Sequence, residues 1–206
     1  MKLKIVLFCI AGLMASLVYG QEETASASRK ANIKHMLDYR YRGGFYSFEK
    51  LFNQTVTYPK VAAGNCVTGI VVVAFEVNCE GEVKNVRMKT PLYYGIREEI
   101  TKFFDATEGL WNTCDDERYT RFEIPIQFRI IGVETNMEDG ILICETNNEG
   151  YMCNGDAYYL KKAEKYLKKG NRKKALKNIN ILIQRNPYNT EYYDMRKKAL
   201  GESDPE

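Results

Sequence analysis

The sequence predicts an α+β domain: a three-stranded antiparallel sheet in the order 2-1-3 with a packed helix, followed by a small all-α module. Three observations predict it. Gly69-Ile70-Val71-Val72-Val73-Ala74-Phe75-Glu76-Val77-Asn78 is almost unbroken in β-branched and aromatic residues, as a strand covered on both faces is. Phe122, Ile124, Ile126, Phe128 and Ile130 alternate with more polar neighbours, the period of a strand with one buried face. From residue 156 onward the apolar residues fall at helical spacing instead.

The chain has 206 residues, room for one or two small domains. Its apolar and charged fractions, 45% and 28%, are those of a globular chain and exclude wholesale disorder. A net charge of +3 is too small to argue for nucleic acid. The single histidine, His35, excludes most histidine-based catalytic or zinc constellations.

Residues 1–20 have the layout of a secretory signal. Lys2 and Lys4 precede an apolar stretch from Ile5 to Tyr19, and Val18 and Gly20 stand at −3 and −1 of a cut before Gln21. The stretch is short for a span, which takes roughly 20 apolar residues. The alternative is an uncleaved inner-membrane anchor. Cleavage removes Cys9 and leaves Cys66, Cys79, Cys114, Cys144 and Cys153. In an oxidising compartment these read as disulfides, and none is spaced as C-x-x-C.

Residues 21–42 read as a leader, polar at first, with structure starting near His35. Gly43-Gly44 breaks the chain, and Phe45, Phe48, Leu51 and Phe52 then mark a helix that Tyr58-Pro59 ends. Strand one covers 67–78. Cys79-Glu80-Gly81-Glu82 turns the chain into strand two, 82–90, with Val86 and Met88 inward. Ile96, Ile100, Phe103 and Phe104 form one stripe of a helix over 95–105. Strand three covers 119–131. A hairpin followed by a returning helix sets strand one between two antiparallel neighbours. Pro125 cannot donate to a ladder, which marks strand three as an edge. In this topology Cys79 and Cys114 lie at the same end of neighbouring strands and are expected to pair.

Residues 132–155 read as a connector hairpin, Ile141–Cys144 against Tyr151–Cys153, bringing Cys144 opposite Cys153 and leaving Cys66 odd. In residues 156–206, Tyr159, Ala163, Tyr166, Ala175, Ile179, Leu182 and Pro187 resemble a tetratricopeptide repeat in their spacing. Gly170-Asn171 supplies the turn, and a third helix, 190–200, caps the pair. Its many lysines read as a solvated face.

Residues 43–131 resemble the C-terminal domain of TonB energy transducers. The features that carry this are Gly43-Gly44 and the aromatic helix, Tyr58-Pro59-x-x-Ala62, and Gly69-x-Val71-x-Val73-x-Phe75-x-Val77. Glu80-Gly81-x-Val83, Trp111 after the helix, and Ile124-Pro125-Ile126-x-Phe128 complete the set. The resemblance implies a periplasmic domain that binds a short receptor segment by strand addition at strand three. Arg121, Glu123, Gln127 and Arg129 would be the outward side chains contacting it, and the two arginines would favour acidic segments. The short leader, the total of five prolines, and Asn112-Thr113-Cys114-Asp115-Asp116 after Trp111 depart from the transducers. They favour a soluble binding domain over an energy-transducing one.

No catalytic motif is present, and no cofactor or metal is expected. The function expected is that of an exported, non-catalytic module binding an envelope protein or receptor peptide. The alternative is a scaffold component binding through its helical tail. Nucleic acid is not expected; peripheral contact with a membrane and the oligomeric state are left open. Intact mass of the exported protein tests the first step: a chain beginning at Gln21 is expected, and retention of residues 1–20 would favour the anchor.

Overall fold

The computed structural model describes residues 26–115, 120–137 and 140–202. The signal segment lies outside them. Helix α1 spans 26–40, so most of the expected leader is not a leader. Ile33 and Leu37 share one stripe and, with Tyr41, are buried in the main core. Arg40 closes the helix from within: Nη1 donates to Thr120 Oγ1 at 2.5 Å, and Nη2 to the carbonyls of Asn78 and Asn112 at 2.7 and 3.2 Å. Gly43 and Gly44, both at positive φ, turn the chain into α2 (Gly44–Thr55).

After α3 (Lys60–Gly64) come β1 (Gly69–Val77), β2 (Val83–Met88), α4 (Ile96–Ala106), β3 (Thr120–Ile130) and β4 (Leu142–Thr146). The sheet has four strands in the order β2-β1-β3-β4. β1 is antiparallel to β2 and β3, while β4 lies parallel to β3. The expected three-stranded antiparallel sheet is therefore wrong: the sheet is mixed and one strand larger. The Ile141–Cys144 segment does not fold back on Tyr151–Cys153 as a hairpin. After β3 the chain crosses over and returns beside it, pairing Ile126 with Leu142 and Ile130 with Thr146.

Pro125 explains where this pairing starts. Its carbonyl accepts from the Ile141 N–H at 2.9 Å, so its ring nitrogen also faces β4. That nitrogen has no hydrogen to give, and the ladder begins one residue later. Proline limits the fourth strand instead of marking a bare edge.

β2 differs from expectation in phase. Its register against β1 slips between Ala74 and Glu76, where Asn85 takes a φ of 57°. This bulge puts Val83 and Met88 against the core and leaves Val86 exposed.

β1 is buried on both faces. On the first, Val71, Val73 and Phe75 sit opposite Ile126, Ile124 and Phe122, under α1, α2 and α4. Trp111 fills the centre, edge-on to Tyr41 and Phe75 at 5.0 and 5.5 Å, its Nε1 donating to Thr107 Oγ1. On the second face, Ile70 and Val72 meet Met137 of the crossover and Tyr188.

Helices α5 (Asp156–Lys168), α6 (Arg172–Arg185) and α7 (Thr190–Leu200) form the C-terminal module. Ala163, Ala175, Ile179, Leu182 and Tyr192 make its core. α6 approaches the sheet so closely that a Cβ on Gly69 would stand 2.3 Å from the Gln184 carbonyl.

Disulfides Cys79–Cys114 and Cys66–Cys153 pin the fold. The first pairing is the expected one. The second corrects the Cys144–Cys153 expectation: β4 points Cys144 into the core, and Cys153 instead reaches Cys66 beside α3. Their sequence separations of 35 and 87 residues correspond to roughly 4 and roughly 4–5 kcal/mol of reduced chain entropy in the unfolded state.

The module is held by a buried ion pair that the sequence did not announce. Arg185 Nη1 lies 2.7 Å from Asp156 Oδ1, with side chains 1% and 8% exposed. Arg185 Nη2 donates to the Asn154 carbonyl, and the other Asp156 oxygen accepts from the Asn136 N–H at 2.7 Å. Truncating one partner strands a buried charge. Asp156→Ala is expected to cost about 3–5 kcal/mol, whereas Asp156→Leu with Arg185→Met should recover much of it. Urea unfolding of the three chains checks this; a double variant as unstable as the single one would refute it.

Candidate functional site

A sheet of this kind exposes two edges, β2 and β4. The β2 edge is blunted by its bulge and by the exposed side chains of Lys84, Asn85 and Arg87. β4 is short, regular and free of bulges. In a parallel ladder alternate residues point their backbone groups toward the neighbour. The Ile131 N–H bond to the Thr146 carbonyl sets the phase: Leu142, Cys144 and Thr146 face β3, so the backbone groups of Ile143 and Glu145 point outward.

Outside them lies a groove of about 600 Å³. Phe52, Val56 and Tyr58 form one wall; Ile143, Cys144 and Thr146 form the other. α2 stops at Val56, which is extended (φ −92°, ψ 127°). Thr57 then anchors the wall, its N–H and Oγ1 both donating to Glu99 Oε2 of α4 at 2.7 and 3.0 Å. The Tyr58 hydroxyl donates to the Val67 carbonyl while its ring packs edge-on against Phe128 at 5.7 Å. Burial pushes its phenol well above the usual range.

The four side chains expected to contact a partner share one face of β3 but do not converge on a site. Arg121 pairs with Glu76 at 3.0 Å, and Glu123 with Lys89. Gln127 is buried beneath the crossover, its Nε2 donating to the Met137 carbonyl at 2.8 Å. Arg129 pairs with Glu145 at 2.7 Å and alone borders the groove. Each arginine already faces a carboxylate, which removes the basis for a preference for acidic segments. β4 covers β3 from Ile126 to Ile130, so Gln127 and Arg129 have no open edge to offer.

The groove residues went unnoticed in the sequence because their partner strand was misassigned. The apolar run at 141–144 was visible as a strand; what could not be seen was that it joins β3. Among the described residues, no group of three or more His, Cys, Asp or Glu could hold a metal ion.

No family model matches the chain, and neither a curated protein nor a solved structure matches it. The likeness of residues 43–131 to transducer domains therefore rests on their sequence motifs alone.

Cys144 reports on whether this edge opens. Its thiol is free, and burial, followed by the nearby Glu99 and Glu145 carboxylates, pushes its pKa up to about 12. The unfolded value is ~8.5, so the folded chain holds the proton longer. Below ~8.5 this difference costs no stability, and the loss grows as pH rises from there toward the folded value. At pH 8 a thiol reagent should leave Cys144 unmodified until the protein unfolds. Rapid reaction in the native protein would show the groove wall opening on its own.

Proposed function

We propose that the chain is an exported, non-catalytic protein-binding module of the cell envelope, taking up an extended segment of a partner along the outer edge of β4. The observation that carries this reading is the edge itself: a regular terminal strand whose outward backbone groups face a preformed groove. Main-chain hydrogen bonds supply affinity in such binding, and side-chain pockets supply selectivity. The walls are of mixed polarity, with Tyr58 and Ile143 beside Asn53, Thr57 and Thr146, which suits a segment whose apolar and polar side chains alternate.

Two disulfides suit an oxidising, extracytoplasmic environment. Among the described residues no helix is long and apolar enough to cross a membrane. The signal-like residues 1–20 support export to the periplasm. The resemblance to transducer domains supports an outer-membrane receptor as the source of the segment. It places strand addition at strand three; β4 moves that edge outward by one strand.

Amide exchange tests the reading. The Ile143 and Glu145 amides are expected to exchange faster than Leu142 and Cys144 in the free protein. They should become protected on adding an extended receptor peptide. Equal protection of all four before any addition, or no change at Ile143 and Glu145 in a peptide-bound sample, would overturn it.

A further inference from the structure

The C-terminal module carries a second groove, about 460 Å³, between α5 and α6 and away from the β4 edge. Tyr158, Tyr159, Tyr166, Lys162, Lys174 and Lys177 line it. No Asp or Glu among the described residues does so. Three ammonium groups therefore face one cleft without a carboxylate to offset them.

The lysines are not loosely scattered. Lys162 Nζ lies 5.2 Å from the Tyr158 ring centre, and Lys174 Nζ lies 5.6 Å from that of Tyr166. Each is held over an aromatic face on the groove wall, which keeps the charge local. Tyr159 meets Tyr158 edge-on at 5.3 Å and is backed by the Arg185 guanidinium, 4.7 Å from its centre. The floor of the cleft thus rests on the buried Arg185–Asp156 pair. Asn178 and Asn154 add side-chain amides to the lining.

From this geometry we propose that the α5–α6 groove binds an acidic, extended segment of a partner protein. Carboxylates of the segment meet Lys162, Lys174 and Lys177, its aromatic or aliphatic side chains lie against the tyrosines, and its backbone meets the asparagine amides. Charge complementarity selects this occupant. A membrane surface is less well suited, because a flat sheet of headgroups does not enter a cleft between two helices. The site is separate from the β4 edge and does not depend on strand addition there.

The full mature chain is titrated against a fluorescein-labelled octapeptide alternating glutamate with tyrosine or serine, read by anisotropy. Its glutamine counterpart and phosphatidylglycerol vesicles serve as the other probes. The glutamate peptide should bind and weaken as salt rises, and the glutamine peptide should bind at least about tenfold more weakly, as expected for charge-assisted contacts. Lys162→Glu with Lys174→Glu should lower affinity by about tenfold or more, while Lys161→Glu with Lys173→Glu, the same charge change outside the groove, should change it by less than about twofold. All four lysines lie on the surface of the helices, and thermal melting confirms that each variant is folded. Equal losses in the two double variants would reduce the effect to net charge and overturn the proposal. So would equal binding of the glutamine peptide, failure of the glutamate peptide to bind, or vesicles that bind through the same lysines when the peptide does not.

Discussion

The Arg185–Asp156 pair is the constraint on which the arrangement of the two halves depends. Asp156 is the first residue of α5, where a negative charge also suits the helix dipole. Arg185 is the last residue of α6. One bond therefore joins the outer ends of the helical hairpin, and a second polar atom of each side chain is spent on Asn154 or Asn136. Asn136 belongs to the crossover that leads from β3 to β4. The C-terminal helices, the crossover and the second face of the sheet are thus fastened at a single point. A buried pair of this kind contributes less to net stability than to uniqueness, since few other arrangements satisfy both charges. The Cys66–Cys153 bond reinforces it by tying the chain just before α5 to the approach to β1.

The same logic governs the sheet edges. Antiparallel sheets with one bare edge invite pairing with other chains, and proteins commonly blunt such edges. Here β2 carries a bulge and charge, and β3 is covered over half its length by β4. Coverage cannot extend further back along β3 through a Pro125 donor, and it does not. β4 itself has no strand beyond it, and its side chains alternate between the core and solvent: Leu142 and Cys144 in, Ile143 and Glu145 out.

Much of the main domain was legible because its elements carry period. The β1 run, the alternation of β3, the α4 stripe and the helical spacing after residue 156 all correspond to observed elements. Local pattern failed where a residue's partner is distant. Residues 26–40 look like a polar leader because a helix contributing Ile33, Met36 and Leu37 to a core among many polar residues has a weak stripe. Segment 141–146 looks like half of a hairpin because a parallel partner leaves no turn signature. Cys144 and Cys153 are close in sequence, yet β4 directs one inward while the other meets Cys66. Asp156 and Arg185, 29 positions apart, show as ordinary surface charges until the fold brings them to 2.7 Å.

The two grooves differ in the physics they can exploit, and this bears on how one small protein could hold two partners or two parts of one. The β4 groove offers backbone pairing and walls of mixed polarity, with its one charged pair, Arg129–Glu145, internally neutralised. Affinity there should respond weakly to salt and mainly to the segment's β propensity and apolar pattern. The α5–α6 groove offers unneutralised charge beside aromatic faces, so affinity there should respond steeply to salt. Neither surface is carried on a separate flexible arm: the crossover joins the β4 strand to the Asp156 lock, and that lock backs Tyr159 in the second groove. Two sites on one rigid frame bind a two-part ligand better than either site alone only when its linker matches their fixed separation. A partner presenting an extended stretch of alternating polarity and an acidic one would therefore be selected by their spacing as well as by their composition.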